Sequence, residues 1–76
     1  MDFQQKVLLQ QLGLLAHSLS TTVGQVEKSA KDIGNAKSAL DAKTKAMMIE
    51  GYLITVKQEI ADIETRLKVV DSWKVI

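Results

Sequence analysis

Apolar and small residues recur along the first part of the chain in alternating steps of three and four. Lettered as a heptad from a to g, this spacing places Leu9, Ala16, Val23 and Ala30 at position a, and Leu12, Leu19, Val26 and Ile33 at position d. Such a repeat is typical of an α-helix that packs along one face against another helix. Asp2 followed by Gln5 is a capping-box pattern, which predicts that this helix begins at Phe3.

A second heptad of the same kind fills the other half of the chain without a polar interruption. It places Ala39, Ala46, Leu53, Ile60 and Leu67 at position a, and Ala42, Ile49, Val56, Ile63 and Val70 at position d. The two repeats are out of phase by two residues, which is not one of the common heptad interruptions. Gly34 and Asn35 lie at this slip, where a left-handed glycine would end one helix and an asparagine would cap the next.

Together the two repeats predict an all-α fold, an antiparallel two-helix hairpin of the coiled-coil type that occupies residues 1–76 as one domain. The helices are expected at about 3–33 and about 37–73, with a turn at about 34–36. Positions a and d of both helices are expected to form the seam between them. With the turn centred near Gly34 and Asn35, Ala16 is expected to face Leu53, and Ala30 to face Ala39.

The chain contains more apolar residues than this seam can bury. In the second helix Leu40, Met47, Ile54 and Ala61 recur at position b, roughly 130° around the helix from the seam. Contiguous apolar surface of this kind usually marks an interface, so we expect the hairpin to assemble into a helical bundle or larger homo-oligomer. Trp73 would either close the open end of the hairpin over Phe3 or anchor a partner. The predicted interface residues are Leu8, Leu15, Leu40, Met47, Ile54, Tyr52 and Trp73.

Charge is distributed unevenly, although ten basic and nine acidic residues leave a net charge of only +1. From Val7 to Val26 the only ionisable side chain is that of His17. This stretch has the length of a membrane span, but its interspersed glutamines and hydroxyl residues argue against one. The acidic start Met1-Asp2 does not fit a signal peptide, which favours the cytoplasm. We expect the uncharged arm to lie inside an assembly and the charged turn and second helix to face water.

The sequence shows no arrangement that predicts catalysis, a cofactor or a metal site. It has no cysteine, its single histidine is His17, and no nucleophile, base and orienting group recur at a suitable spacing. Glu59 and Asp62 are expected to be surface charges beside the seam. A neutral balance and an aromatic content of 4% argue against nucleic-acid binding.

The stretch Met48-Ile49-Glu50-Gly51-Tyr52-Leu53 resembles the tyrosine-containing start of the C-terminal helix in the small needle and inner-rod proteins of type III secretion systems. The resemblance implies a filament subunit. More generally, the sequence predicts a non-enzymatic structural protein that self-assembles through its heptad seams and the position-b stripe. The alternative is a small adaptor, chaperone or inhibitor that binds another protein through an apolar helix face.

Overall fold

The computed structural model describes residues 1–75, and Ile76 lies outside the described residues. The chain forms two helices, α1 (Phe3–Ile33) and α2 (Ala39–Asp71), of 31 and 33 residues. They pack against each other as an antiparallel hairpin with principal extents of 61 × 15 × 15 Å. The all-α hairpin predicted from the two heptads is therefore confirmed.

Side chains cap the first turn of each helix. The backbone N–H of Gln5 donates to Oδ1 of Asp2 at 2.8 Å, and Oε1 of Gln5 accepts from the Asp2 N–H at 3.0 Å, so the predicted capping box is present. At the start of α2, Oγ of Ser38 accepts from the Asp41 N–H at 3.0 Å. These bonds satisfy N–H groups that the first turn of a helix would otherwise leave unpaired.

The turn between the helices differs from the prediction in its backbone and its length. Gly34 has φ −62° and a right-handed conformation, so the left-handed glycine expected there is wrong. The chain instead tightens as the Asn35 N–H donates to the Asp32 carbonyl at 2.9 Å. Ser38 rather than Asn35 caps α2 because its hydroxyl reaches the third residue of that helix. The connection therefore extends to Ser38, two residues beyond the expected end.

Positions d and g, rather than a and d, form the seam between the helices. The side chains at d and g of both heptads are buried or half-buried. Position a points to one side, where five large apolar residues are between 39% and 47% exposed: Leu9, Val23, Leu53, Ile60 and Leu67. The predicted a/d seam is therefore wrong. Each helix is rotated about its axis by roughly 60° from the predicted orientation, which is the angle between positions a and d.

Two polar pairs across the seam define its register. Ser18 contacts Glu59, and Asp32 contacts Lys45. From the first pair to the second, α1 advances by two heptads while α2 goes back by two heptads, so the helices keep the same alignment between the two pairs. This alignment brings Leu53 to the level of Gly24, about two helical turns from Ala16. The predicted pairing of Ala16 with Leu53 is therefore wrong, because the turn is longer than expected.

The hairpin leaves an unusually large surface exposed for its mass. No apolar residue among residues 1–75 is buried, and the accessible surface is 6071 Å². A compact monomer of 8.4 kDa would expose about 4,600 Å². The radius of gyration is likewise 17.5 Å, against about 11 Å for a globular chain of this length.

Candidate interaction surface

The seven residues predicted to form an interface divide into two groups. Four of them occupy position g and lie half-buried along the seam between α1 and α2: Leu8, Leu15, Tyr52 and Trp73. The other three occupy position b and are between 59% and 75% exposed: Leu40, Met47 and Ile54. The hairpin itself thus engages the position-g residues and leaves the position-b stripe open.

Trp73 lies at the open end of the hairpin, just beyond the last turn of α2. Its backbone N–H donates to the Val70 carbonyl at 3.0 Å, which turns the chain back after the helix. The side chain shares a groove with Leu8 and Gln4 of α1. Phe3 is 79% exposed, so the first of the two roles predicted for Trp73, closure over Phe3, is wrong, and the second, anchoring a partner, stays a prediction. The groove includes Leu8, which occupies position g on the seam, but not Phe3.

A continuous apolar surface follows one side of the hairpin, and we call it the a face. In each helix, position a lies next to the d/g seam on one side. Because the helices are antiparallel, this side is the same for both, so position a of α1 and position a of α2 lie together. On α2 this face borders a row of exposed charges at position e: Lys43, Glu50, Lys57 and Glu64. The position-b stripe lies just beyond these charges. The next position around the helix, f, is polar and includes Gln58.

The most buried side chain of the described residues is charged. Glu59 is only 9% exposed, and its Oε2 accepts from Oγ of Ser18 at 2.6 Å. Hydrogen bonding by Ser18, and then by Thr22, lowers the pKa of Glu59 below its usual value against the opposing effect of burial. The Thr22 hydroxyl also lies 3.1 Å from the Ser18 carbonyl, and Oε1 of Glu59 has no assigned partner within residues 1–75. The expectation that Glu59 is a surface charge is therefore wrong.

The signal for this pair was present in the sequence but divided between the two helices. Ser18 and Thr22 lie one turn apart on α1, at positions c and g, and Glu59 occupies position g of α2. Neither half is distinctive by itself. Only the register of the hairpin brings a short hydroxyl side chain opposite a carboxylate that can reach across the seam.

A second polar cluster lies near the turn. Nζ of Lys45 is 3.4 Å from Oδ2 of Asp32 and 3.3 Å from Oδ2 of Asp41, so one amine joins the end of α1 to the start of α2. Burial acts to lower the pKa of Lys45, but the two carboxylates outweigh it and raise that pKa. The Lys37 N–H, followed by Lys45, lowers the pKa of Asp41.

The described residues contain no group of three or more acidic, histidine or cysteine side chains placed to hold a metal ion. His17 is exposed at position b of α1. Among the described residues, neither helix contains an apolar stretch long enough to cross a membrane.

The stretch from Met48 to Leu53 lies inside α2, nine residues after that helix begins, and not at a helix start as the resemblance implied. No protein-family model, curated protein or solved structure matches the chain.

Proposed function

We propose that the protein is a non-enzymatic assembly subunit whose hairpins associate through their exposed apolar surfaces. One observation carries the proposal: large apolar side chains line the a face and the position-b stripe in regular rows. Scattered apolar residues are normal on a protein surface, but contiguous rows bordered by charges are typical of an interface. The regular heptad spacing also suits helix packing of the coiled-coil type.

The exposed area is large enough for a stable association. The hairpin exposes about 1,500 Å² more than a compact protein of the same mass. A stable interface typically buries about 800 Å² on each partner. Folding of the isolated hairpin buries only about half of the surface of the unfolded chain, whereas about 60% is usual for a small domain. Covering one long side would therefore bring the protein into the ordinary range.

The mass of the protein in solution tests the proposal. Light scattering over a series of concentrations should give a multiple of 8.4 kDa. Ile54→Lys should lower the mass, because burial of half an isoleucine contributes about 1 kcal/mol per copy. A symmetric dimer loses this contribution twice, which raises its dissociation constant by roughly 30-fold.

Gln58→Lys is the matched control for this substitution. It adds the same charge one turn further along α2, on the exposed polar position f, and should leave the mass unchanged. A wild-type protein that stays monomeric at several hundred micromolar would contradict the proposal. If the mass is a multiple of the single-chain mass, electron microscopy then distinguishes closed oligomers from filaments.

A further inference from the structure

We infer that two copies of the hairpin associate with their α2 helices antiparallel, about a twofold axis that passes at Leu53. This inference rests on the proposed self-association and specifies its geometry. The occupant of the a face is then a second copy of the same chain. Size and charge along α2 both favour this arrangement, and they do so independently.

Size complementarity follows from the order of residues at position a. With the axis at Leu53, Ala46 lies opposite Ile60 of the second copy, and Ala39 lies opposite Leu67. Each small side chain thus meets a large one, which lets the helices approach without a gap. A parallel pairing would place each residue opposite itself, large against large and alanine against alanine.

Charge complementarity follows from the alternating signs at position e. The same axis places Lys43 opposite Glu64 of the second copy and Glu50 opposite Lys57, which makes four ion pairs in the dimer. None of these four side chains has a salt bridge within the described hairpin. In α2, the residues three and four positions from Glu50 and from Lys57 are all uncharged, so these two charges have no partner on their own helix.

The position-b stripe obeys the same symmetry. Position b lies about 100° around the helix from position a, so Ile54 and Met47 border the contact, level with Ile54 and Ala61 of the second copy. The axis falls at the level of Gly24 in α1, next to Val23, so Ala16 would lie nearly opposite Ala30 of the second copy. Small side chains at these two positions leave room for the α1 helices to approach each other. The dimer is then a four-helix bundle.

Other pairings of the a face leave these charges without opposite partners. A parallel α2 pair, with its twofold axis along the helices, turns the two position-e rows to opposite sides of the contact, where they do not meet. If α2 instead packs on α1 of the second copy, Glu50 lies opposite Glu27, and Lys57 lies opposite the uncharged Ser20. Like charges across an interface disfavour the wrong partner or register. The antiparallel α2 pair is the arrangement that gives every one of these charges an opposite partner.

Single cysteines test the geometry, because the chain has none of its own. Leu53→Cys treated with a short bismaleimide should give a covalent dimer, since the two sulfurs meet at the axis. Ile60→Cys alone should not, because its two copies would lie about 21 Å apart along the helices. A mixture of Ala46→Cys and Ile60→Cys chains should cross-link.

The outcomes separate this inference from the proposed function. A sample that is monomeric by mass overturns both. A sample that is dimeric by mass, but in which Ile60→Cys cross-links as well as Leu53→Cys, has parallel helices and overturns the inference alone. Absence of any Leu53→Cys product in a dimeric sample does the same, because another face then forms the contact.

Charge exchange provides a second test that leaves the apolar side chains intact. Glu50→Lys or Lys57→Glu alone should weaken dimerisation by about tenfold, because each replaces attraction with repulsion at two places. The double variant should restore wild-type dimerisation. Lys28→Glu, at an exposed position f of α1, is the matched control and should have no effect. A double variant as weak as either single variant overturns the pairing.

Discussion

Three glycines inside the helices should weaken the hairpin, and replacing them with alanine should stabilise it. Gly13 and Gly24 lie in α1, Gly51 lies in α2, and none is near a helix end. Beyond its chain neighbours and the backbone of its own helix turn, a Cβ atom added at any of them has no heavy atom within 4 Å. Alanine favours a helix interior over glycine by about 0.8–1.0 kcal/mol, because it loses less backbone entropy on folding.

The triple variant Gly13→Ala, Gly24→Ala and Gly51→Ala should gain about 2.5–3 kcal/mol in free energy of unfolding. The sites share no contact, so the single effects should add. For a domain of this size the gain corresponds to a rise in Tm of roughly 10–20 °C. Circular dichroism at 222 nm during thermal and urea unfolding measures both quantities, at a concentration low enough to keep the chains monomeric.

Gly34→Ala is the control for this series. Gly34 follows the end of α1, and a Cβ there would lie 3.3 Å from the Lys31 carbonyl oxygen, a tight contact that offsets the entropic gain. It should therefore change Tm by less than any of the three helical sites. A loss of stability at Gly13, Gly24 or Gly51 in the monomer would refute the reasoning, because the hairpin offers a new methyl group nothing to clash with.

Two further predictions concern the polar pairs in the seam. Ser18→Ala should lower the unfolding free energy more than its control Ser20→Ala at neutral pH. The pKa of Glu59 is lowered in the folded state, so this stabilisation is present above about pH 5 and is lost as pH falls through the folded pKa. Urea unfolding at neutral pH and in acid should therefore show that the difference between Ser18→Ala and Ser20→Ala disappears in acid. Lys45→Met should lower Tm more in low salt than in 1 M NaCl, because salt already screens the wild-type ion pairs; equal losses in both buffers would contradict an electrostatic role.

The sequence was sufficient to predict the fold class and the start of α1, but not the rotation of the helices. Two uninterrupted heptads separated by a slip in phase indicate two helices and a turn, because this pattern depends only on neighbours in the chain. The choice between an a/d and a d/g seam depends on the other helix. Position g of α2 holds Lys45 and Glu59, which in isolation look like surface residues. Their partners Asp32 and Ser18 are distant in sequence and become adjacent only after the hairpin forms.

The same limit applies to the interface residues and to the turn. Apolar side chains at b and g look equivalent in the sequence, yet the hairpin covers Leu15 and Tyr52 and leaves Met47 and Ile54 open. The prediction for the turn is wrong because it rests on the average preference of glycine for a left-handed conformation after a helix, which Gly34 does not adopt. Here the cap formed by Ser38 further along the chain determines where α2 begins.

The rotation of the seam links the fold of the hairpin to its assembly. An a/d seam would bury Leu53 and Ile60 within one chain and leave Glu59 in water, which is the favourable arrangement for an isolated hairpin. The observed d/g seam does the opposite, since it buries the carboxylate of Glu59 and exposes both apolar residues. Hydrogen bonding by Ser18 reduces the cost of burying Glu59 but does not recover the lost apolar burial. That burial is recovered if a second copy covers the a face, so the arrangement that is poor for one hairpin becomes favourable for two.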